Sequence, residues 1–165
     1  MSRPVVAVVM GSKSDLPVVQ GALDLLKEFN VPFTARVLSA HRTPAEAADF
    51  AAGAEAAGLK VIICAAGMAA HLGGVIAAHT TLPVIGIPVA SAPFNGLDAL
   101  FSFVQMPPGI PVGVVTAGSA GGKNAALYAI EMLALNDPAL TARLKAYRQT
   151  QSAKVLADDA SLRDL

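Results

Sequence analysis

The chain has 165 residues, of which 54% are hydrophobic and 15% are charged, and its twelve basic and twelve acidic residues cancel. This length suffices for a domain with a real core, and the sequence lacks the basic stripe of a nucleic-acid-binding protein. No run of about 18 apolar residues is uninterrupted, so we expect no membrane span. The apolar fraction exceeds that of a typical soluble domain, which favours extensive burial between subunits.

Five apolar runs have the character of strands that are buried on both faces of a parallel sheet. In chain order they are residues 5–10, 33–38, 61–65, 84–89 and 112–115. Helical patterns lie between and after them, at residues 16–29, 44–57, 72–79, 97–104 and 120–135. This alternation indicates right-handed crossovers with helices on both sides of the sheet. The first and third runs are the most apolar, as central strands should be. We therefore predict an α/β fold, a three-layer αβα sandwich with five parallel strands in the flavodoxin-like order 2-1-3-4-5.

A further helical pattern covers about residues 138–156 and follows Asp137, which makes a good helix start before Pro138. Because no strand follows this helix, we expect it to pack on a neighbouring subunit. The polar residues beyond Ala157 are expected to be loose. Without a linker or repeat, the sequence predicts one domain over residues 1–165.

The predicted strand order places the loops after strands one, two and three side by side, at the edge where open α/β sheets bind ligands. Residues 11–15 form the first loop, whose hydroxyls (Ser12, Ser14) and free N–H groups suit an anion. The Asp15 carboxylate would repel phosphate and is better suited to sugar hydroxyls or ring amines. Helix capping by Ser14 or Asp15 explains these residues equally well.

The second loop, residues 39–44, contains the most informative residues of the chain. Histidine titrates near neutral pH, so His41 can donate and accept a proton. A positioned acid–base group of this kind contributes roughly a hundred- to ten-thousand-fold in rate. Arg42 offers a rigid fork for phosphate or carboxylate. A structural histidine is the alternative, but an exposed loop position favours a functional one.

The third loop, residues 65–74, contains small residues that let the backbone approach a flat ligand. His71, at the start of the next helix, either binds ligand or makes a local hydrogen bond. Residues 118–124 place Ser119 at a strand-to-helix turn, but all three histidines precede it, which is the wrong order for an α/β-hydrolase triad. An anion site or tight packing stays open there. No dinucleotide, Walker or clustered zinc-ligand motif is found, so no metal is expected.

Several segments occur together and in order along the chain. They are GSKSD at 11–15, SAHRTP at 39–44, AAHL at 69–72, PVIGIP at 83–88, VQMP at 104–107 and IPV at 110–112. This set resembles the PurE family, the class I N5-carboxyaminoimidazole ribonucleotide mutases of purine biosynthesis, and the similarity extends to about Leu156. The resemblance implies a cofactor-free isomerisation that moves a carboxyl group from an exocyclic nitrogen to ring carbon C4. The histidine matched by His41 would act first as acid and then as base, beside a trapped carbon dioxide molecule. The single cysteine, Cys64, fits a reducing compartment, so we expect a cytoplasmic protein.

The same resemblance implies the binding residues and the assembly. Ser12 and Arg42 would contact phosphate or carboxylate, and Asp15 would contact the ribose hydroxyls of a small ribonucleotide substrate. The second-rank candidates are Ser14, Ser39 and His71. The family is homo-octameric with active sites at subunit boundaries. The charge pattern and the lack of a long apolar run, rather than the resemblance, predict no nucleic-acid or membrane partner.

Two departures from the family pattern lie in the third loop, where Met68 replaces a glycine and Gly73 replaces a proline. Met68 would narrow the pocket, and Gly73 would loosen the start of the helix. Two other functions stay open. A direct carboxylase that uses carbon dioxide shares the fold, although the AAHL segment favours the mutase. A silent nucleotide-binding module would keep the binding residues but would not need His41.

Overall fold

The computed structural model of the protein describes residues 3–163. These residues form two compact units, one ending at Ala129 and the other beginning at Ile130. The first unit contains a five-stranded parallel sheet with the order β2-β1-β3-β4-β5. The strands are β1 Val6–Met10, β2 Phe33–Val37, β3 Val61–Gly67, β4 Val84–Val89 and β5 Gly113–Val114. The predicted α/β class and strand order are confirmed.

The central strands β1 and β3 are the most apolar, and their side chains are buried on both faces. Val8 of β1 pairs with Ala35 of β2 on one side and with Ile63 of β3 on the other. The edge strand β2 differs, since its residues Ala35 to Val37 are exposed. Burial on both faces is therefore a wrong prediction for β2, because an edge strand with Thr34 and Arg36 is covered less completely.

Six α-helices occur in the part of the chain that the structure describes, and they follow the predicted pattern. They are α1 Leu16–Glu28, α2 Pro44–Gly53, α3 Leu72–Ala78, α4 Leu97–Val104, α5 Ser119–Ala134 and α6 Pro138–Leu162. One face of the sheet is covered by α2, α3 and α4, which contribute Ala47, Ile76 and Phe103 to the core. Alternate strand residues point to the opposite face.

On that opposite face α1 packs closely against the first part of α5. Two glycines of the 118–124 segment make this close approach possible. A Cβ atom at Gly122 would lie 2.2 Å from the carbonyl oxygen of Val18 in α1. A Cβ atom at Gly121 would lie 2.9 Å from Ile87 of β4 and still closer to the Thr116 carbonyl oxygen. Tight packing therefore accounts for this glycine motif, which the sequence alone left open.

The second unit contains the end of α5 and the whole of α6. The Asp137 carboxylate caps α6 by accepting a hydrogen bond from the backbone N–H of Leu140 at 2.9 Å, as the sequence predicts. The expectation of loose residues beyond Ala157 is wrong for residues 158–162, because α6 continues to Leu162, while residues 164 and 165 lie outside the described residues. An ion pair one turn apart, between Asp159 and Arg163, supports this last part of the helix. No helix within residues 3–163 is long and apolar enough to cross a membrane.

Candidate active site

Four loops at the carboxyl ends of β1, β2, β3 and β4 line a cleft of about 690 Å³. The seven candidate residues from the sequence all lie along its wall. They are Ser12, Ser14, Asp15, Ser39, His41, Arg42 and His71. The fourth loop, residues 89–91, was not predicted as part of the site. Residues 118–124 are not part of the described lining.

A second cleft, of about 860 Å³, lies at the opposite edge of the sheet, beside the amino end of β4. It is larger than the first cleft, and its wall includes His79 and Glu55. His79 makes a local contact, with its Nδ1 2.8 Å from the carbonyl oxygen of Val75. The first cleft is the better candidate, because open α/β sheets bind ligands at the carboxyl ends of their strands and because acid–base and anion-binding groups converge there.

The β1 loop forms a short 3₁₀ turn that starts from Ser12. The Ser12 hydroxyl accepts a hydrogen bond from the backbone N–H of Ser14, and Oδ2 of Asp15 accepts one from the backbone N–H of Ser12 at 3.0 Å. Capping is thus part of the role of these residues. The other carboxylate oxygen of Asp15, Oδ1, has only a long 3.4 Å contact with the Ser14 hydroxyl, so it retains acceptor capacity.

Asp15 is the one buried charged residue in the described part of the chain, with 8% of its surface exposed. Burial raises the pKa of its carboxyl group above 3.8, although hydrogen bonds from Ser12 and Ser14 and the positive charge of Arg42 partly offset this effect. A buried carboxylate whose pKa is raised and that faces a cleft is typical of a functional position.

The β2 loop is held in shape by Ser39 and Thr43. The Ser39 hydroxyl accepts hydrogen bonds from the backbone N–H groups of His41 at 3.4 Å and Arg42 at 3.1 Å. The Thr43 hydroxyl oxygen accepts one from the backbone N–H of Ser39 at 2.9 Å. Arg42 in turn donates from Nη2 to the carbonyl oxygen of Gly11 at 3.0 Å, which ties the β2 loop to the β1 loop. Its remaining N–H donors are available for an anion.

The two predicted histidines meet across the cleft, although they come from different loops. Nε2 of His41 lies 2.8 Å from Nδ1 of His71, and the rings are edge-to-face with centroids 4.9 Å apart. One ring donates and the other accepts, so the pair shares one hydrogen. Both rings are exposed to the cleft, and the contact fixes the orientation of His41.

The β3 loop contains a backbone conformation that residues other than glycine rarely adopt. Met68 has φ 56°, in the left-handed region, and 62% of its surface is exposed on the cleft wall. A non-glycine residue in this region costs about 1–2 kcal/mol. Gly73 has a packing role instead, because a Cβ atom there would lie 2.5 Å from the buried ring of Phe103. Helix α3 begins at Leu72 as predicted, and the loosening effect of Gly73 stays a prediction.

Sequence reasoning missed the residues that follow β4, above all Ser91. Its hydroxyl oxygen is buried and has no hydrogen-bond partner within residues 3–163. Open α/β sheets bind ligands at the carboxyl ends of their strands. Applying this rule to the fourth strand as well as to the first three would have identified Ser91. Cys64, in contrast, is a buried thiol in the middle of β3, and burial raises its pKa far above the ordinary value, so it is inert.

The fold and the cleft define a doubly wound α/β protein with a polar cleft at the carboxyl edge of its sheet and a histidine pair on the cleft wall. The comparison with known families is more specific. Residues 5–154 match the family described as AIR carboxylase, and the chain therefore belongs to that family.

Curated relatives share about half of their sequence with this chain. The N5-carboxyaminoimidazole ribonucleotide mutase of Haemophilus influenzae is 53% identical over 151 residues, which cover 92% of each chain. The protein of the same name from Escherichia coli K12 is 52% identical over 151 residues, which cover 92% of this chain and 89% of that protein. The crystal structure of Treponema denticola PurE matches with a TM-score of 0.88 and 31% identity, over 98% of this chain and 99% of that one.

Proposed function

We propose that this chain is an N5-carboxyaminoimidazole ribonucleotide mutase, an isomerase of purine biosynthesis. It would convert N5-carboxyaminoimidazole ribonucleotide into 4-carboxy-5-aminoimidazole ribonucleotide. The observation that carries the proposal is the 2.8 Å contact of His41 with His71 inside a cleft that also contains Arg42 and Asp15. The mutase relatives at 52–53% identity support the choice of substrate.

In the proposed reaction His41 is the catalytic acid and then the catalytic base. It donates a proton to the carbamate nitrogen as the bond from that nitrogen to the carboxyl carbon breaks, which releases carbon dioxide and leaves aminoimidazole ribonucleotide. The ring carbon C4 then attacks the carbon dioxide, and His41 removes the C4 proton, which restores the aromatic ring. Protons balance over the cycle, because His41 regains in the second step the proton that it donates in the first, and one positioned imidazole can serve as both acid and base.

The other cleft residues would bind the ribonucleotide. Ser12 and the free N–H groups of Arg42 suit its phosphate or carboxylate, and the acceptor capacity of Asp15 Oδ1 suits the ribose hydroxyls. Ser14 would support Ser12, since the two hydroxyls lie 2.8 Å apart. Ser39 would act by holding the backbone of the His41 loop.

We also propose that the chain assembles with copies of itself, as a homo-octamer. Leu97, Phe101 and Val104 lie one turn apart along one face of α4, and each is more than half exposed, with Phe101 at 57%. Val155 and Leu156 of α6 are exposed as well, which supports packing of that helix on a neighbouring subunit. Exposed apolar side chains clustered in this way are typical of protein interfaces. We place the enzyme in the cytoplasm, a reducing compartment with which a single free thiol is compatible.

The test of the function is the interconversion of the two carboxylated ribonucleotides by the purified protein, with bicarbonate and ATP withheld. The mutase predicts turnover under these conditions. Turnover that depends on added carbon dioxide and starts from aminoimidazole ribonucleotide would instead identify a direct carboxylase. Binding of the ribonucleotides without any turnover would identify a silent binding module.

A further inference from the structure

Ser91 lies two residues beyond the end of β4, on the wall of the cleft. Its hydroxyl oxygen is shielded from solvent and has no hydrogen-bond partner in the described residues 3–163. No other side-chain nitrogen or oxygen in that part of the chain is both buried and unpaired. Buried polar groups in folded proteins almost always have a partner, so an exception needs an explanation.

Ser102 of α4 shows what a serine with a structural role does in this protein. It is half-buried, like Ser91, but its hydroxyl donates a hydrogen bond to the carbonyl oxygen of Asp98 at 2.7 Å. Ser91 has no such contact to lose. A serine hydroxyl turns readily between staggered positions about its Cα–Cβ bond, so a ligand in the cleft can become its partner.

The sheet order indicates which part of a ligand Ser91 meets. Strand β4 is next to β3 and on the side of β3 that faces away from β1 and β2. Nε2 of the catalytic His41 contacts His71 of the β3 loop, so the reacting carboxyl group belongs on that side. Ser12 and Arg42, of the β1 and β2 loops, are therefore assigned to the phosphate rather than to the carboxylate. The opposite end of the ligand therefore lies towards the β3 and β4 loops, where His71 and Ser91 are found. In the proposed function this is the end that carries the migrating carboxyl group.

We propose that Ser91 is a substrate-binding residue whose hydroxyl donates a hydrogen bond to the migrating carboxyl group, an inference that rests on the proposed mutase function. A hydroxyl donor suits a carboxylate oxygen because a hydrogen bond to a charged group is stronger than one between neutral groups. The contact would hold the carboxyl group close to the nitrogen and carbon atoms between which it moves.

The experiment compares Ser91→Ala with Ser102→Ala and measures thermal unfolding and ligand binding by calorimetry. The ligands are 4-carboxy-5-aminoimidazole ribonucleotide and aminoimidazole ribonucleotide, which lacks the carboxyl group. We expect Ser91→Ala to weaken binding of the carboxylated ligand about tenfold and to leave binding of the other ligand unchanged. Without ligand, the melting temperature of Ser91→Ala should equal or exceed that of the wild type. Ser102→Ala, which removes a serine outside the described cleft lining, should leave the binding of both ligands unchanged.

Three results would overturn the inference. Equal weakening for both ligands would place the hydroxyl at another part of the molecule, and no weakening would mean that no contact exists. A melting temperature of Ser91→Ala clearly below that of the wild type would give Ser91 a structural partner. If the wild type interconverts the ribonucleotides in any of these cases, only the proposed role of Ser91 is wrong. If the wild type neither binds nor converts them, the proposed function itself falls.

Discussion

The contact between His41 and His71 makes a quantitative prediction about positioning. His41 is exposed, and its ring makes no other hydrogen bond within residues 3–163 than the 2.8 Å contact with Nδ1 of His71. In His71→Leu that acceptor or donor is gone, and the His41 ring is free to turn among its rotamers. In His71→Asn the carboxamide oxygen stands close to where Nδ1 was, so the contact is largely kept.

The size of the effect follows from the strength of one hydrogen bond. A net contribution of about 0.5–1.5 kcal/mol corresponds to roughly two- to thirteenfold in rate, since each 1.36 kcal/mol is tenfold. Loss of the acid–base group itself costs roughly a hundred- to ten-thousand-fold. We therefore expect His71→Leu to lower kcat about two- to thirteenfold with little change in KM, and His71→Asn to stay near the wild type.

The assay is steady-state interconversion of the two carboxylated ribonucleotides, with kcat and KM determined separately for each variant. If His71→Leu loses as much activity as His41→Asn, then His71 itself transfers a proton and the positioning argument is wrong. If His71→Leu is as active as the wild type, the contact seen in the free protein has no role in turnover. A rise in KM with unchanged kcat would identify His71 as a binding residue instead.

Three further predictions concern other parts of the structure. Because burial raises the pKa of Asp15 above 3.8, its ionisation lowers stability at neutral pH. Asp15→Asn should therefore bind substrate more weakly but melt at a higher temperature at pH 7, and this gain should shrink as the pH falls towards 3.8. Gly122→Ala should lower the free energy of unfolding by about 1–3 kcal/mol, because the added Cβ overpacks against α1. Gly53→Ala is the control: a Cβ there meets nothing within 4 Å, so this variant should not destabilise the protein. Phe101→Asp should shift the protein to smaller species in sedimentation velocity.

Each of these predictions has an outcome that contradicts it. A melting temperature of Asp15→Asn below that of the wild type at pH 7 would mean that the ionised carboxylate stabilises the fold. Unchanged melting of Gly122→Ala, together with weaker ligand binding, would favour an anion site over packing. An unchanged sedimentation coefficient for Phe101→Asp would remove the exposed face of α4 from the proposed interface.

Much of the fold follows from local sequence signals. Strand β4 and helix α4 have the predicted bounds, and the starts of α1 and α6 coincide with a proline near the first turn. The strand order followed from relative hydrophobicity, because the most buried strands lie at the centre of the sheet. The length of α6 did not follow, since its last residues are held by helix propensity and by a charged pair rather than by an apolar face.

The site was predictable where side-chain chemistry is visible in the sequence. His41, Arg42 and Asp15 are unusual residues at strand ends, so they could be identified without a structure. The contact of His41 with His71 could not, because it joins loops 30 residues apart. The left-handed backbone of Met68 and the unpaired hydroxyl of Ser91 depend on atomic positions that no pattern in the sequence records.

The most direct test of the central claim, that His41 is the acid–base group of this cleft, is a comparison of His41→Asn with the wild type in binding and turnover. We predict that the variant binds 4-carboxy-5-aminoimidazole ribonucleotide with an affinity close to that of the wild type, while its turnover falls at least about a hundredfold. Turnover within tenfold of the wild type would contradict the claim, because the reaction would then not depend on this imidazole.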